Sequence, residues 1–160
     1  MASNRHLGRI IVLQTLYEQD FRRNAQDDTF DLDATLARNI GRFEASIDDT
    51  AFIKRLVHGI TKHEVELDDI LQPIAPDWPI PQIARMDRVI LHIGLYELRF
   101  EPDTPSKVVI NEAVELAKAF GSDNSSKFVN GVLGTALRKL EEEQASSSKK
   151  QEDEKEHETT

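Results

Sequence analysis

Lys127 and Phe128 stand side by side in the stretch "GSDNSSKFVNGVL", residues 121–133, where one helix is expected to end and another to begin. A helix start already presents unpaired N–H groups and about half a positive charge, so a cation in its first turn is disfavoured by roughly a few tenths of a kcal/mol. The chain repeats this placement, because Arg5, His6 and Arg9 open the first helical segment. Where N–H groups and cationic side chains converge, the natural guest is a phosphate or another anion. An aromatic ring beside such a cation suits single-stranded RNA, since stacking contributes about 1–3 kcal/mol per base while the charge holds the backbone. Rotation along the last helix centres its apolar face on Val129, Val132, Leu133, Ala136 and Leu140 and puts Phe128 at the margin. That position suits an RNA-facing ring and an edge-of-core residue equally.

Gly131 and Gly134 lie opposite that apolar face, on the side of Lys127. A glycine inside a helix costs about 1 kcal/mol relative to alanine, so the pattern predicts that another backbone approaches there. Such an approach would bring the two cationic helix starts together.

Other chemistries find no support. Residues 63–67 read "HEVEL", which begins like a zinc-protease motif but has Leu67 where the second histidine belongs. Phosphate-loop, dinucleotide and nucleophile-elbow signatures are absent. His58, His63 and His92 read as surface or satisfied core residues, and Asp48, Asp49, Asp68 and Asp69 as helix-start or surface charges. No catalytic residue, metal site or cofactor is expected, and the lack of cysteine excludes disulfides and thiolate ligands.

The elements that must position these residues are helical throughout. Apolar residues recur at three- and four-residue spacings, which predicts helices near 4–23, 31–42, 49–71, 82–99, 106–120 and 124–142. Gly121 is placed to end the fifth in a left-handed conformation. The helix over "ARMDRVILHIGLYELRF" is apolar on most of its circumference and should be central. The segment "PIAPDWPIP", residues 73–81, holds four of the six prolines and cannot continue a helix. It predicts a joint between two small bundles, about 1–72 and 82–144, with Trp78 as its plug.

The net charge of −9 is unevenly distributed. The last twenty residues hold eight acids and three bases, a net of −5, which leaves −4 for residues 1–140. With almost no apolar residues, 145–160 is expected to be a disordered acidic tail. Residues 1–23 are instead net positive. No signal peptide or membrane-length apolar run is present, so the chain is expected to be cytoplasmic and without membrane contact.

The segments "RHLGRIIVLQTLYEQD", "MDRVILHIGLYEL" and "PSKVVINEAVELAKAFGSDNSSKFVNGVL" resemble the NusB family of bacterial transcription antitermination factors, a likeness covering about residues 4–140. The resemblance implies an all-α fold of two small bundles that is not an enzyme. It also implies binding of boxA-type single-stranded RNA from ribosomal RNA leaders together with the ribosomal protein NusE, as part of the transcription elongation complex. By motif, Arg5, His6 and Arg9 match the basic N-terminal cluster, Tyr17 the family aromatic, and Asn124, Lys127 and Phe128 the RNA-facing start of the final helix. Asp87, with Arg88 beside it, matches the acidic position facing NusE. Leu7 and Gly8 thin the basic cluster and Asn124 replaces an often acidic residue, which implies weak RNA binding without the partner protein.

Two other readings compete. A NusB-like accessory domain of an RNA cytosine methyltransferase would require a methyl-donor-binding domain, which nothing after residue 144 can form, so that reading holds only for a fragment of a longer protein. A purely structural helical protein would tolerate loss of Arg5 and Lys127 without any change in binding.

Overall fold

The computed structural model describes residues 2–158, with side chains from Arg5 onward. Seven α-helices follow one another: α1 (Ala2–Asn24), α2 (Leu32–Gly41), α3 (Thr50–Lys62), α4 (Glu64–Ile74), α5 (Arg85–Phe100), α6 (Ser106–Phe120) and α7 (Ser125–Glu158). Short 3-10 turns occupy Glu44–Ser46 and Ile80–Gln82. No strand occurs among the described residues, as the helical periodicity predicts.

Local chemistry sets some of the boundaries. Asp31 accepts from the Ala34 N–H at 3.1 Å and Asp49 from the Phe52 N–H at 3.0 Å, so each caps a helix start. The single helix predicted over 49–71 is instead broken at His63, whose backbone leaves the helical region (φ −102°, ψ 16°). Its ring packs 4.5 Å from that of Phe100, and its Nδ1 lies 2.9 Å from the Gly59 carbonyl oxygen. Tertiary contacts with α5 thus override a continuous helical pattern.

α5 is the central rod. Val89, Ile90, Leu91, Ile93 and Leu95 are all buried, and α1, α3, α4, α6 and α7 pack around it. Burying an aliphatic side chain of this size contributes about 1.5–3 kcal/mol, and here a single apolar cluster links every helix from α1 to α7. Arg9 of α1 meets Glu97 near the end of α5, whereas Asp20 meets Arg85 at its start, so α1 runs antiparallel to α5.

Several expectations need correction. α4 packs mainly on α5 and α7, so the proline-rich segment 73–81 joins two helices of the same group, and the change of group falls at His63. Trp78 does not plug a joint but is 53% exposed. Gly121 is not left-handed (φ −88°); its missing side chain makes room for Ser125, whose Cβ and Oγ would lie 2.5 Å from an added Cβ. Nothing approaches Gly131 within 4 Å of an added Cβ, and only the Arg138 guanidinium approaches Gly134, so no backbone packs there. Finally, α7 does not stop near 142. Of the tail expected to be disordered, residues 145–158 form a solvent-exposed extension of that helix, rich in the good helix formers Glu, Lys and Gln, and 159–160 lie outside the described residues.

Candidate nucleic-acid interface

The start of α7 is built by the tight connection from α6. Ser125 is buried, and its Oγ accepts from the Ser122 N–H at 2.8 Å, which fixes the entry of the helix. Asn124 and Lys127 project into solvent, and Phe128 is half-buried, packed against the edge of the core. Lys127 has no ion-pair partner among the described residues. An unpaired cation beside a partly open ring, on a helix start that is itself electropositive, can hold an anion and stack a base.

The start of α1 is more heavily committed. The Arg5 guanidinium lies 4.4 Å from the centre of the Phe52 ring, donates to Thr104 Oγ1 at 3.3 Å and reaches Asp49 at 3.5 Å. His6 Nδ1 lies 2.5 Å from Glu112 Oε2. Arg5 and His6 keep part of their surface exposed, so a phosphate can reach them by competing with Asp49 and Glu112.

Arg9 is a correction. Expected to face RNA, it is 2% exposed and forms a two-pronged ion pair with Glu97, beneath the Phe52 ring. Helical rotation puts Arg9 on the side of Val12 and Leu16, both buried, but the carboxylate that receives it lies 88 positions away and is not legible from α1 alone.

The two basic helix starts are both anchored on α6. His6 docks on Glu112 near its middle, and α7 begins beyond its C-terminal end at Gly121, nine residues on. That is about 13 Å along the helix axis. The starts are therefore joined by α6, not by the close approach inferred from Gly131 and Gly134.

Tyr17 sits elsewhere, half-buried beside the start of α5, with the Arg85 guanidinium 5.8 Å from its ring centre. Arg85 is itself held by Asp20 at 2.7 Å. Asp87 and Arg88 diverge, as neighbours on a helix must. Arg88, expected beside Asp87 at the partner-facing position, is ion-paired with Asp68 at 2.8 Å, Asp20 at 3.5 Å and Glu64 at 3.6 Å. Asp87 turns the other way, into a cleft of about 290 Å³ that Asn124 and Phe128 also line.

The histidines behave as expected. His58 bonds Asp33 at 2.9 Å, His63 the Gly59 carbonyl, and His92 Asp68 at 2.7 Å. No grouping of ligand-type side chains able to hold a metal occurs among the described residues, and no described helix is long and apolar enough to cross a membrane.

Comparison with known proteins bears on this geometry. The model of the NusB family matches residues 6–138. The transcription antitermination protein NusB of Chloroflexus aggregans is 46% identical over 141 residues, covering 87% of this chain and 90% of the relative. That of Roseiflexus castenholzii is 42% identical, covering 89% and 97%. Among solved structures, NusB of T. maritima superposes with a TM-score of 0.74 at 32% identity, covering 84% of this chain and 90% of the other. A structure of the antitermination factors NusB and NusE in complex with double-stranded RNA also superposes with a TM-score of 0.74, over 86% of this chain and 98% of the other, and at 24% identity supports the fold.

Proposed function

This chain belongs to the NusB family, and on that premise we propose that it is a non-enzymatic RNA-binding factor promoting processive transcription of ribosomal RNA operons. It acts in the cytoplasm by binding boxA-type single-stranded RNA together with NusE within the transcription elongation complex. The observation that carries this reading is the start of α7, where exposed Lys127, without an ion-pair partner among the described residues, stands beside half-buried Phe128 and exposed Asn124.

The RNA strand runs from that point along α6 towards Arg5 and His6. Asn124, Lys127 and Phe128 make the first contacts, Arg5 and His6 add charge, and Tyr17 lies outside this path. With three or four phosphates neutralised, the logarithm of affinity falls with the logarithm of salt with a slope of about −2 to −3 for a single strand. So few contacts make binding weak, and NusE supplies the remaining surface. Asp87 faces that partner.

Relatives of nearly the same length, of which this chain covers 90–97%, are antitermination proteins, which favours this reading over a methyltransferase accessory domain. The test is binding of a boxA-type RNA and a scrambled RNA of equal length to the intact protein, with and without NusE. A preference for boxA that NusE strengthens is expected. Equal affinity for both RNAs in both conditions would overturn the reading.

A further inference from the structure

The cleft between the 78–87 segment and the start of α7 holds an unexplained group. Asp87 is only 9% exposed, and its Oδ1 is buried with no hydrogen-bond partner. Buried carboxylate oxygens are almost always paired, because an unpaired one forfeits its hydration without compensation. The nearby cations do not supply the missing partner, since Arg85 is held by Asp20 and Arg88 by Asp20, Glu64 and Asp68. Trp78, Gln82, Asn124 and Phe128 line the cleft together with Asp87. Trp78 is an odd surface residue, a large ring left more than half exposed in a segment stiffened by prolines.

We propose that this cleft is a socket for an arginine side chain of a protein partner, whose guanidinium stacks on Trp78 and donates to Asp87. The proposal deepens the reading above, resting on it for the existence of a protein partner, and adds Trp78 as a residue that determines specificity. A flat aromatic wall next to a carboxylate that can only accept fits a planar, permanently charged, multiply donating group. Lysine lacks the plane and the paired donors. A nucleobase stacked on Trp78 would bring its phosphates against the Asp87 carboxylate, which repels them, so at this wall of the cleft the electrostatics favour a protein cation, while the RNA contacts lie towards Lys127, outside the cleft lining. An aromatic wall and a desolvated charge are also the features of residues that dominate binding energy at protein interfaces.

Trp78 is the only tryptophan in the chain, so its emission reports on the cleft directly. The intact protein is titrated with NusE and, separately, with boxA-type RNA, using Trp78→Phe as the blank. NusE is expected to change Trp78 emission, and RNA alone is not. Asp87→Asn and Trp78→Ala are each expected to weaken NusE binding about tenfold or more, with RNA affinity in the absence of NusE unchanged. Asp87→Asn should leave the melting temperature of the free protein nearly unchanged, which separates lost partner binding from lost folding. Unchanged NusE affinity in both variants overturns the socket and leaves the RNA reading standing. A Trp78 response to RNA alone that Asp87→Asn abolishes also overturns it, in favour of a nucleobase. Failure of the wild-type chain to bind NusE overturns both the socket and the two-component reading.

Discussion

Arg9 of α1 and Glu97 of α5 clasp each other inside the protein, with Arg9 Nε 2.9 Å from Oε2 and Nη2 2.7 Å from Oε1, the two side chains 2% and 1% exposed. Burial pushes the Glu97 carboxyl above its ordinary range, and the hydrogen bonds and charge of Arg9 pull against that shift. The pair ties the basic start of α1 to the central helix, so a residue resembling a nucleic-acid contact serves the fold. Removing either partner leaves a buried charge without its counterpart. Arg9→Met and Glu97→Gln should each destabilise the protein by about 3–5 kcal/mol, while the double variant Arg9→Met/Glu97→Leu recovers most of that loss. Urea denaturation measures all three; single variants as stable as the wild type would show that the pair is not sealed.

Asp68 predicts an acid limit to stability. Burial raises its carboxyl pKa, but hydrogen bonds from His92 and Arg88, with their charges, outweigh burial and hold the net value below the ordinary 3.8. The folded state therefore binds this proton less readily than the unfolded chain. The resulting stabilisation is present above the unfolded value and is lost as pH falls through the lowered folded value. Asp68→Asn should be less stable than the wild type near neutral pH and show a flatter decline below about pH 4. Thermal melts across that range check it; parallel curves would contradict the assignment.

Gly131 offers a stabilising change. It lies in the interior of α7, exposed, with nothing within 4 Å of an added Cβ. Gly131→Ala should stabilise the protein by about 0.5–1 kcal/mol through helix propensity alone. A loss of stability on denaturant titration would mean that the site is less open than described.

The C-terminal extension of α7 should contribute little to folding. Residues 145–158 are exposed throughout, so truncation after Gln144 should change stability by less than about 0.5 kcal/mol while lowering helical ellipticity. A large fall in melting temperature would show that the extension packs on the body.

How much of this was legible in the sequence follows from the range of each interaction. Amphipathic periodicity is local, and it located the helices and the buried circumference of α5. The exposure of Lys127 followed from the same rotation. What failed depended on distant partners. The break at His63 needs Phe100, the burial of Arg9 needs Glu97, and the commitment of Arg88 needs Asp20 and Asp68. The glycines misled for a related reason: a missing side chain marks close approach at Gly121, against Ser125, and only open solvent at Gly131. Trp78 was assigned to the interior by its size, and nothing in "PIAPDWPIP" distinguishes a plug from an exposed wall.

The most direct measurement of the central claim is the affinity and salt dependence of boxA-type RNA binding by Lys127→Ala and Phe128→Ala, each with its fold checked by circular dichroism. The account predicts that Lys127→Ala weakens binding and makes the salt slope shallower by about 0.7. Phe128→Ala should weaken it by about 1–3 kcal/mol with the slope unchanged. Wild-type affinity and slope in both folded variants would contradict the claim that the start of α7 holds the RNA.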